Sequence, residues 1–221
     1  MLRYAPFPLL AVPLLFLASF SLAAPAAAAA TPAAAADPVA VLETKMALRD
    51  LWVEHVFWIR SYVLAADAGD DAQRKVAEDE VVNNAKALAA TITPFYGQEA
   101  ADGLLKLLAG HWAAVRDYDS ATVDHSKAGQ SKAVAAITAN AHEIAKFLSG
   151  ANPYLPEGAV FGLLSAHGAH HVAQINEIAA NDFRGEARTW QAMRKHMLVI
   201  ADSITDALAK QFPDRLHRSA T

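Results

Sequence analysis

Apolar residues recur at spacings of three and four along six stretches of the chain, the pattern of helices that bury one face. In the first stretch, His55 lies in the middle of an apolar stripe formed by Leu48, Trp52, Ile59 and Tyr62. Turn-forming residues separate the stretches, and no alternating pattern of useful length predicts a β-strand. The sequence therefore predicts an all-α fold, a six-helix up-and-down bundle.

Turn signals set the predicted bounds of these helices. Asp37-Pro38 suits a helix start, with Asp as the capping residue and Pro in the first turn. The predicted ranges are about 37–67, 71–93, 99–118, 130–149, 157–181 and 185–211, with a polar loop at 119–129. The first, third and fifth helices are apolar nearly all round, which predicts that they lie innermost.

Three segments that end in histidine recur at intervals of 56 residues. They are Leu51-Trp52-Val53-Glu54-His55, Leu107-Leu108-Ala109-Gly110-His111 and Leu163-Leu164-Ser165-Ala166-His167. The same spacing relates Asn84 to Asn140, and His196 takes that position in the third copy. Internal repeats determine architecture, so the sequence predicts three helical hairpins of 56 residues each.

These repeated polar residues are predicted to form one layer. In antiparallel helices, residues equidistant from a turn lie at the same height, and six inward positions obey this relation: His55, Asn84, His111, Asn140, His167 and His196. The layer should be about one helical turn thick, near 5.4 Å. The three histidines of the odd helices should approach most closely, with ring nitrogens roughly 3–4 Å apart if they share an ion.

Buried polar side chains must satisfy one another or hold something. Neutral imidazoles that converge from parallel helices suit a transition-metal ion, with zinc or copper favoured and nickel or iron also possible. The candidate ligands are His55, His111, His167, His171 and His196, and the candidate supporting residues are Asn84, Asn140, His170 and Glu143. Because ligating histidines must be neutral, binding is expected to weaken below about pH 6.5.

Other functions fit the same layer. A hydrogen-bonded His/Asn network could simply fix helix register in a structural or partner-binding bundle. A three-histidine metal enzyme is a further alternative, as is non-covalent haem with Met193 or Met197 as a ligand. The chain has no Glu-x-x-His, no Gly-x-Ser-x-Gly and no glycine-rich phosphate loop, so the sequence favours a binding protein over an enzyme.

Composition narrows the class further. The 221 residues include no cysteine, which excludes disulfides, thiolate metal sites and covalent c-type haem. The net charge of −4 does not suggest a nucleic-acid partner. Residues 1–24 are typical of a signal peptide, with an uncleaved anchor as the alternative, and 25–36 form an Ala/Pro-rich tether. We therefore expect an exported, periplasmic or secreted domain at 37–213 with a polar tail at 214–221.

The chain also resembles an uncharacterised family of secreted bacterial helical-bundle proteins, for which no activity is established. The resemblance runs from about residue 51 to residue 213 and rests on these pieces: Leu51-Trp52, Glu54-His55-Val56, Trp58, Arg60, Asn84, Pro94-Phe95-Tyr96-Gly97, Leu107-Leu108, His111, Asn140-Ala141, Glu143-Ile144-Ala145, Phe147-Leu148, Asn152-Pro153, His167, Asp202 and Gln211-Phe212-Pro213. The chain departs from the family at Ala87, where the family has an acidic residue. The resemblance implies a secreted helical bundle and adds no activity.

Overall fold

A computed structural model describes residues 35–216, which are helical apart from short connections and contain no strand. The helices are α1 (Pro38–Ala68), α2 (Asp71–Ala90), α3 (Thr93–Tyr96), α4 (Gln98–Val123), α5 (Lys127–Ala151), α6 (Glu157–Ala179) and α7 (Phe183–Gln211), followed by a 3₁₀ turn at Pro213–Arg215. The predicted all-α class is confirmed. The predicted signal peptide, most of the tether and residues 217–221 lie outside the described residues.

Local capping explains where the long helices begin and end. The Asp37 side chain accepts a hydrogen bond from the Val39 amide at 2.8 Å, directly ahead of Pro38 in the first turn. Gly69 ends α1 with a φ of 68°, a left-handed conformation that glycine adopts without steric cost. Asp70 then caps α2 by accepting from the Gln73 amide. These caps make α1 and α2 a helical hairpin with a two-residue connection.

The prediction of a polar loop at 119–129 is wrong. The α4 helix continues to Val123, and α5 begins at Lys127. Asp119 and Thr122, which suggested a loop, are buried on α4, and the Thr122 hydroxyl donates to the Tyr118 carbonyl one turn earlier. A threonine hydroxyl bonded back to its own helix no longer competes with the helical backbone.

The six long helices pack as a closed ring in the order α1, α2, α4, α5, α6, α7, with α7 returning to α1. Two further packings cross the ring, because α6 contacts both α1 and α4. Ion pairs show that α1 and α7 are antiparallel: Lys45 pairs with Asp206, and Arg60 pairs with Glu186 at the other end. The cross-packings bring together the three helices that carry the repeated histidines.

The histidine layer divides the core into two halves. The half where α1 ends is filled by large apolar side chains, and its buried members include Ile59, Tyr62, Val63, Val81, Trp112, Val115, Tyr118, Ile137, Ile175 and Ile178. The half where α1 begins has its own apolar cluster, which includes Leu48, Leu88, Leu104, Leu108, Met193, Met197 and Ile200. Burial of each such side chain contributes about 1.5–3 kcal/mol. Only the second half borders the cavity described below.

The two ends of the described chain meet. The Asp37 amide donates to the Leu216 carbonyl at 2.9 Å, and Leu216 is buried. The start of the predicted polar tail therefore packs against the start of α1. Among residues 35–216, no helix combines the length and apolar character that crossing a membrane requires.

Candidate metal centre

Four buried histidines converge between α1, α4 and α6. They are His55 on α1, His111 on α4, and His167 and His171 on α6. One ring nitrogen of each lies within 4.8 Å of the corresponding nitrogen of every other member. Each side chain is at most 6% exposed. The group, called the histidine cluster below, could hold a metal ion.

The ring positions meet the geometric condition for a shared site. The centroids of His55, His111 and His167 are 5.2–6.0 Å apart, far inside the separation of about 10 Å that would exclude a common ion. The upper bound of 4.8 Å on nitrogen separation is looser than the 3–4 Å expected for ligands on an ion. Small side-chain rotations would close that difference.

The closest pair comes from a single helix. Nε2 of His167 and Nε2 of His171 are 3.1 Å apart. Residues four apart lie on the same helix face, so α6 alone presets this pair. Two nitrogens at 2.0–2.1 Å from a tetrahedral ion would be about 3.3 Å apart, close to the observed spacing. Without an ion, one ring can donate its Nε2–H to the other only if their tautomers differ.

Buried ring nitrogens in the cluster have no hydrogen-bond partner among the described protein atoms. They are Nδ1 of His55, His167 and His171, and Nε2 of His111. Leaving a buried polar group unpaired costs about 1–3 kcal/mol, so such groups call for an explanation. An ion bound by the Nε2 pair of His167 and His171 would replace the contact between these two nitrogens and would leave the Nδ1 atoms of both rings unpaired.

Burial keeps the cluster uncharged. Loss of hydration, with a further contribution from His111, lowers the pKa of His55 to about 3. Loss of hydration also lowers the pKa of His111 to about 4. The same cause, with repulsion between the imidazolium forms, puts the pKa values of His167 and His171 well below the usual 6.5. The four rings are therefore neutral at physiological pH, as metal ligation requires.

The other three residues of the predicted layer make a different kind of contact. The side-chain amides of Asn84 and Asn140 donate to the carbonyls of Leu51 and Leu107 at 3.0 and 2.9 Å. Nε2 of His196 lies 2.8 Å from the Leu163 carbonyl. Each bond links the two helices of a pair across the same offset of 33 residues. His196 is thus directed at backbone and is not among the four converging histidines.

Asn84 and Asn140, predicted as supporting residues, bond through their amide nitrogens to backbone carbonyls and not to ring nitrogens. Asn84 also donates to Glu54 Oε2 at 3.2 Å. Its side chain is near enough to His55 to raise that pKa slightly against the effect of burial. Neither Asn84 Oδ1 nor His55 Nδ1 completes a well-formed hydrogen bond among the described atoms. The Asn84 side chain would therefore have to move slightly before it could orient the His55 ring.

The two remaining supporting candidates lie outside the cluster. His170 is partly buried, and its ring is 5.5 Å from that of His196. Glu143 is exposed on α5. Met193 and Met197, considered as haem ligands, are fully buried in the apolar cluster, and neither lines the cavity beside the histidines.

Sequence reasoning missed a buried ion pair one turn beyond the cluster. Glu186 is 4% exposed and accepts from Arg60 Nε at 2.5 Å and from Gln174 Nε2 at 2.9 Å. The Arg60 guanidinium lowers the pKa of the Glu186 carboxyl by hydrogen bonding. Gln174 follows His171 by three residues, so α6 carries both groups. No local motif signals this pairing, since Arg60 and Glu186 are 126 residues apart.

Comparison of the chain with family models, with curated proteins and with solved structures found no match. The resemblance to secreted bacterial helical bundles therefore stays a prediction. The histidine cluster is thus the feature that points to a function.

Proposed function

We propose that this protein is an exported metal-binding protein that holds one transition-metal ion through His55, His111, His167 and His171. One observation carries the proposal: four buried imidazoles converge, so that one ring nitrogen of each lies within 4.8 Å of the corresponding nitrogen of every other. A core that served only for packing would gain stability from apolar side chains at these positions. A bound ion explains why the chain retains four histidines there.

The donor set favours zinc or copper. Imidazole nitrogen suits both ions, and a set without carboxylate or thiolate does not suit magnesium or calcium. All four ligands are neutral, so the ion's charge enters an apolar site uncompensated. Since the cost of desolvation rises with ionic charge, copper(I) fits this surrounding at lower cost than a divalent ion.

A structural role for part of the layer is supported by a separate observation. Asn84, Asn140 and His196 each hydrogen-bond a carbonyl 33 residues earlier, and these bonds are themselves spaced by 56 residues. The spacing supports three hairpin repeats with a common register. We therefore assign register to these three residues and metal binding to the cluster, and both roles can coexist in one layer.

The proposed location and class rest on the sequence. Residues 1–24 have the pattern of a signal peptide, which supports export to the periplasm or beyond. The chain lacks the enzyme motifs sought above, and four protein ligands fill more positions than the three that catalytic zinc sites use. A binding or metal-handling role is therefore favoured over catalysis.

The deciding experiment is metal analysis of the full-length chain, expressed with its own N-terminus and purified without a histidine tag. Elemental analysis after expression, and titration of the metal-free protein with zinc(II) and copper(I), should each give one ion per chain. The quadruple variant His55→Ala/His111→Ala/His167→Ala/His171→Ala would show whether any bound metal uses the cluster. Less than a tenth of an ion per folded chain under both conditions would defeat the proposal and leave the structural alternative.

A further inference from the structure

An apolar cavity of about 60 Å³ lies against the histidine cluster. It occupies the half of the bundle where α1, α4 and α6 begin. His55, His111 and His167 form its inner end, and its apolar walls include Leu48, Leu104, Leu108, Leu164 and Ile200. On the opposite side of the histidine layer lies the apolar cluster around Ile59 and Ile178, and none of its buried members lines this cavity.

Apart from the three imidazoles, few polar groups line the cavity; one is the Trp52 indole, whose buried N–H has no partner among the described atoms. Thr91 and Ser203 also line it, but each hydroxyl donates to its own helix, Thr91 to the Leu88 carbonyl at 2.6 Å and Ser203 to the Val199 carbonyl at 2.8 Å. No charged side chain lines the cavity. A charged or strongly polar ligand would lose its hydration there without replacement.

Size restricts the ligand further. A single water needs about 10–15 Å³ of such space, so a cavity of 60 Å³ admits a molecule of a few heavy atoms. Cavities lined by aliphatic side chains stay dry and take up apolar guests such as xenon. The space is too small for a long acyl chain or an aromatic cofactor. A small, uncharged, apolar molecule fits best.

The cavity is placed to meet a bound ion. His171 is one helical turn beyond His167 on α6 and does not line the cavity, whereas the other three histidines do. If all four histidines held an ion, the side of the ion opposite His171 would therefore face the cavity. Thr91, Leu148 and Ser203 are only partly buried, so the outer end of the cavity approaches the surface.

We propose that the cavity admits a diatomic gas that donates a lone pair, such as carbon monoxide, to a copper(I) ion, where the gas takes the coordination position of one of the three histidines that line the cavity. The proposal rests on the proposed function, because it needs the ion. The metal–nitrogen bond to that histidine breaks as the gas donates its electron pair to copper(I), so the ion stays four-coordinate and its oxidation state does not change.

The cavity can be tested without metal. Xenon is an apolar probe of suitable size, and its binding to the metal-free full-length chain can be followed by ¹²⁹Xe chemical shift. We expect one saturable site. Leu164→Phe, which fills space beside His167, should weaken xenon binding at least tenfold, and Leu108→Phe should do the same beside His111. The volume-conserving Leu164→Met should bind normally. Absence of a saturable site, or full binding by both phenylalanine variants, would overturn the proposal.

The gas-ligand role is tested with copper(I)-loaded protein and carbon monoxide under anaerobic conditions. We expect one bound carbon monoxide per copper, seen as a single infrared C–O band, and a loss of at least tenfold in affinity in Leu164→Phe. Leu64→Phe makes the same change in the packed half of the core and should have no such effect. Circular dichroism and copper content, measured for each variant, show that it is folded and loaded.

The outcomes separate the two proposals. If the folded chain binds neither zinc nor copper, the proposed function fails and the gas-ligand role fails with it. If copper(I) binds stoichiometrically but carbon monoxide does not, or if the site accepts zinc and excludes copper(I), only the gas-ligand role is overturned. Xenon binding that is lost in Leu164→Phe, together with a carbon monoxide band that is lost in the same variant, supports both.

Discussion

Nε2 of His167 and Nε2 of His171 lie 3.1 Å apart, one turn apart on α6. Formation of the helix places these two side chains next to each other, so no further ordering of the backbone is needed to bring them together. His55 and His111 then complete the cluster from α1 and α4. Their approach depends on the packing of α6 against both of these helices. The pair on α6 is therefore the local part of the site, and the other two ligands depend on the tertiary fold.

Removing one ligand should weaken metal binding strongly. We expect His171→Ala to reduce the affinity for zinc(II) or copper(I) by two orders of magnitude or more, because one of four metal–nitrogen bonds is lost. The neighbouring His170→Ala provides a matched control, since the His170 ring lies beside His196 and outside the cluster. Titration against a chromophoric chelator measures both. Equal losses in the two variants would contradict the assignment of His171 as a ligand.

Metal affinity should stay nearly constant from pH 8 to about pH 5. The unperturbed value of 6.5 suggested an earlier loss, but burial lowers the pKa of His55 to about 3 and that of His111 to about 4. In the folded chain, protons therefore compete with the ion only near pH 4. Affinity measured by competition, with folding monitored at each pH, checks this. A tenfold loss centred near pH 6.5 in protein that remains folded would show that the rings are more hydrated than the structure indicates.

Acid should destabilise the metal-free protein. A group whose folded-state pKa is depressed stabilises the fold above its unfolded pKa, and this contribution is lost as pH falls toward the folded pKa. The loss should run from about pH 6.5 to about pH 4 for His111 and to about pH 3 for His55, at up to about 1.4 kcal/mol per pH unit for each. Urea unfolding at several pH values measures it.

A comparison variant isolates this contribution. His171→Leu removes one buried imidazole, so its stability should fall less steeply with acid than that of the unaltered metal-free chain. Identical slopes would show that His171 has a similar pKa in the folded and unfolded states.

Asp119 should make the fold less stable as pH rises. Burial raises the pKa of its carboxyl to about 7, with Asp67 adding to the effect and Arg74 opposing it. The unfolded chain releases this proton near pH 4 and the folded chain only near pH 7, so stability declines between these values, by up to about 4 kcal/mol. Asp119→Asn should abolish that decline, whereas Asp117→Asn at an exposed neighbouring position should not. A decline that persists in Asp119→Asn would assign it to other groups.

The sequence could predict the helices from local spacing, and it could indicate the cluster because histidines recur every 56 residues on apolar stripes. His55, His111 and His167 stood out on apolar stripes, and the spacings of three and four from His167 offered His170 and His171 as further candidates. The sequence could not separate His196 from the ligands, since the direction of its ring depends on the Leu163 carbonyl of another helix. The cavity was equally hidden, because apolar spacing gives the composition of a core and not how completely side chains fill it.

Some residues on which the resemblance rests have a structural role that is visible only in the folded chain. Asn152 donates to the Tyr96 hydroxyl at 3.0 Å, and that hydroxyl donates to Gln211 Oε1 at 2.7 Å. These residues come from three separate parts of the chain and form one hydrogen-bonded group at the end of the bundle where α1 begins. Periodicity carries no information about such a contact, because each partner is polar and lies near a helix end.

Mutation of Asn84 should lower the stability of the fold without abolishing metal binding. This side chain is 3% exposed and donates to the Leu51 carbonyl, so Asn84→Ala removes a buried hydrogen bond between α2 and α1. We expect a loss of about 1–3 kcal/mol in the free energy of unfolding, measured by urea denaturation of the metal-free protein. Asn83→Ala, at the exposed neighbouring position, should cost much less.

Metal binding should survive the same substitution. Because Asn84 is not among the four converging histidines, metal stoichiometry should remain one per folded chain, with affinity reduced far less than in His171→Ala. Loss of stoichiometric binding in folded Asn84→Ala protein would contradict the division of the layer into register and ligand residues.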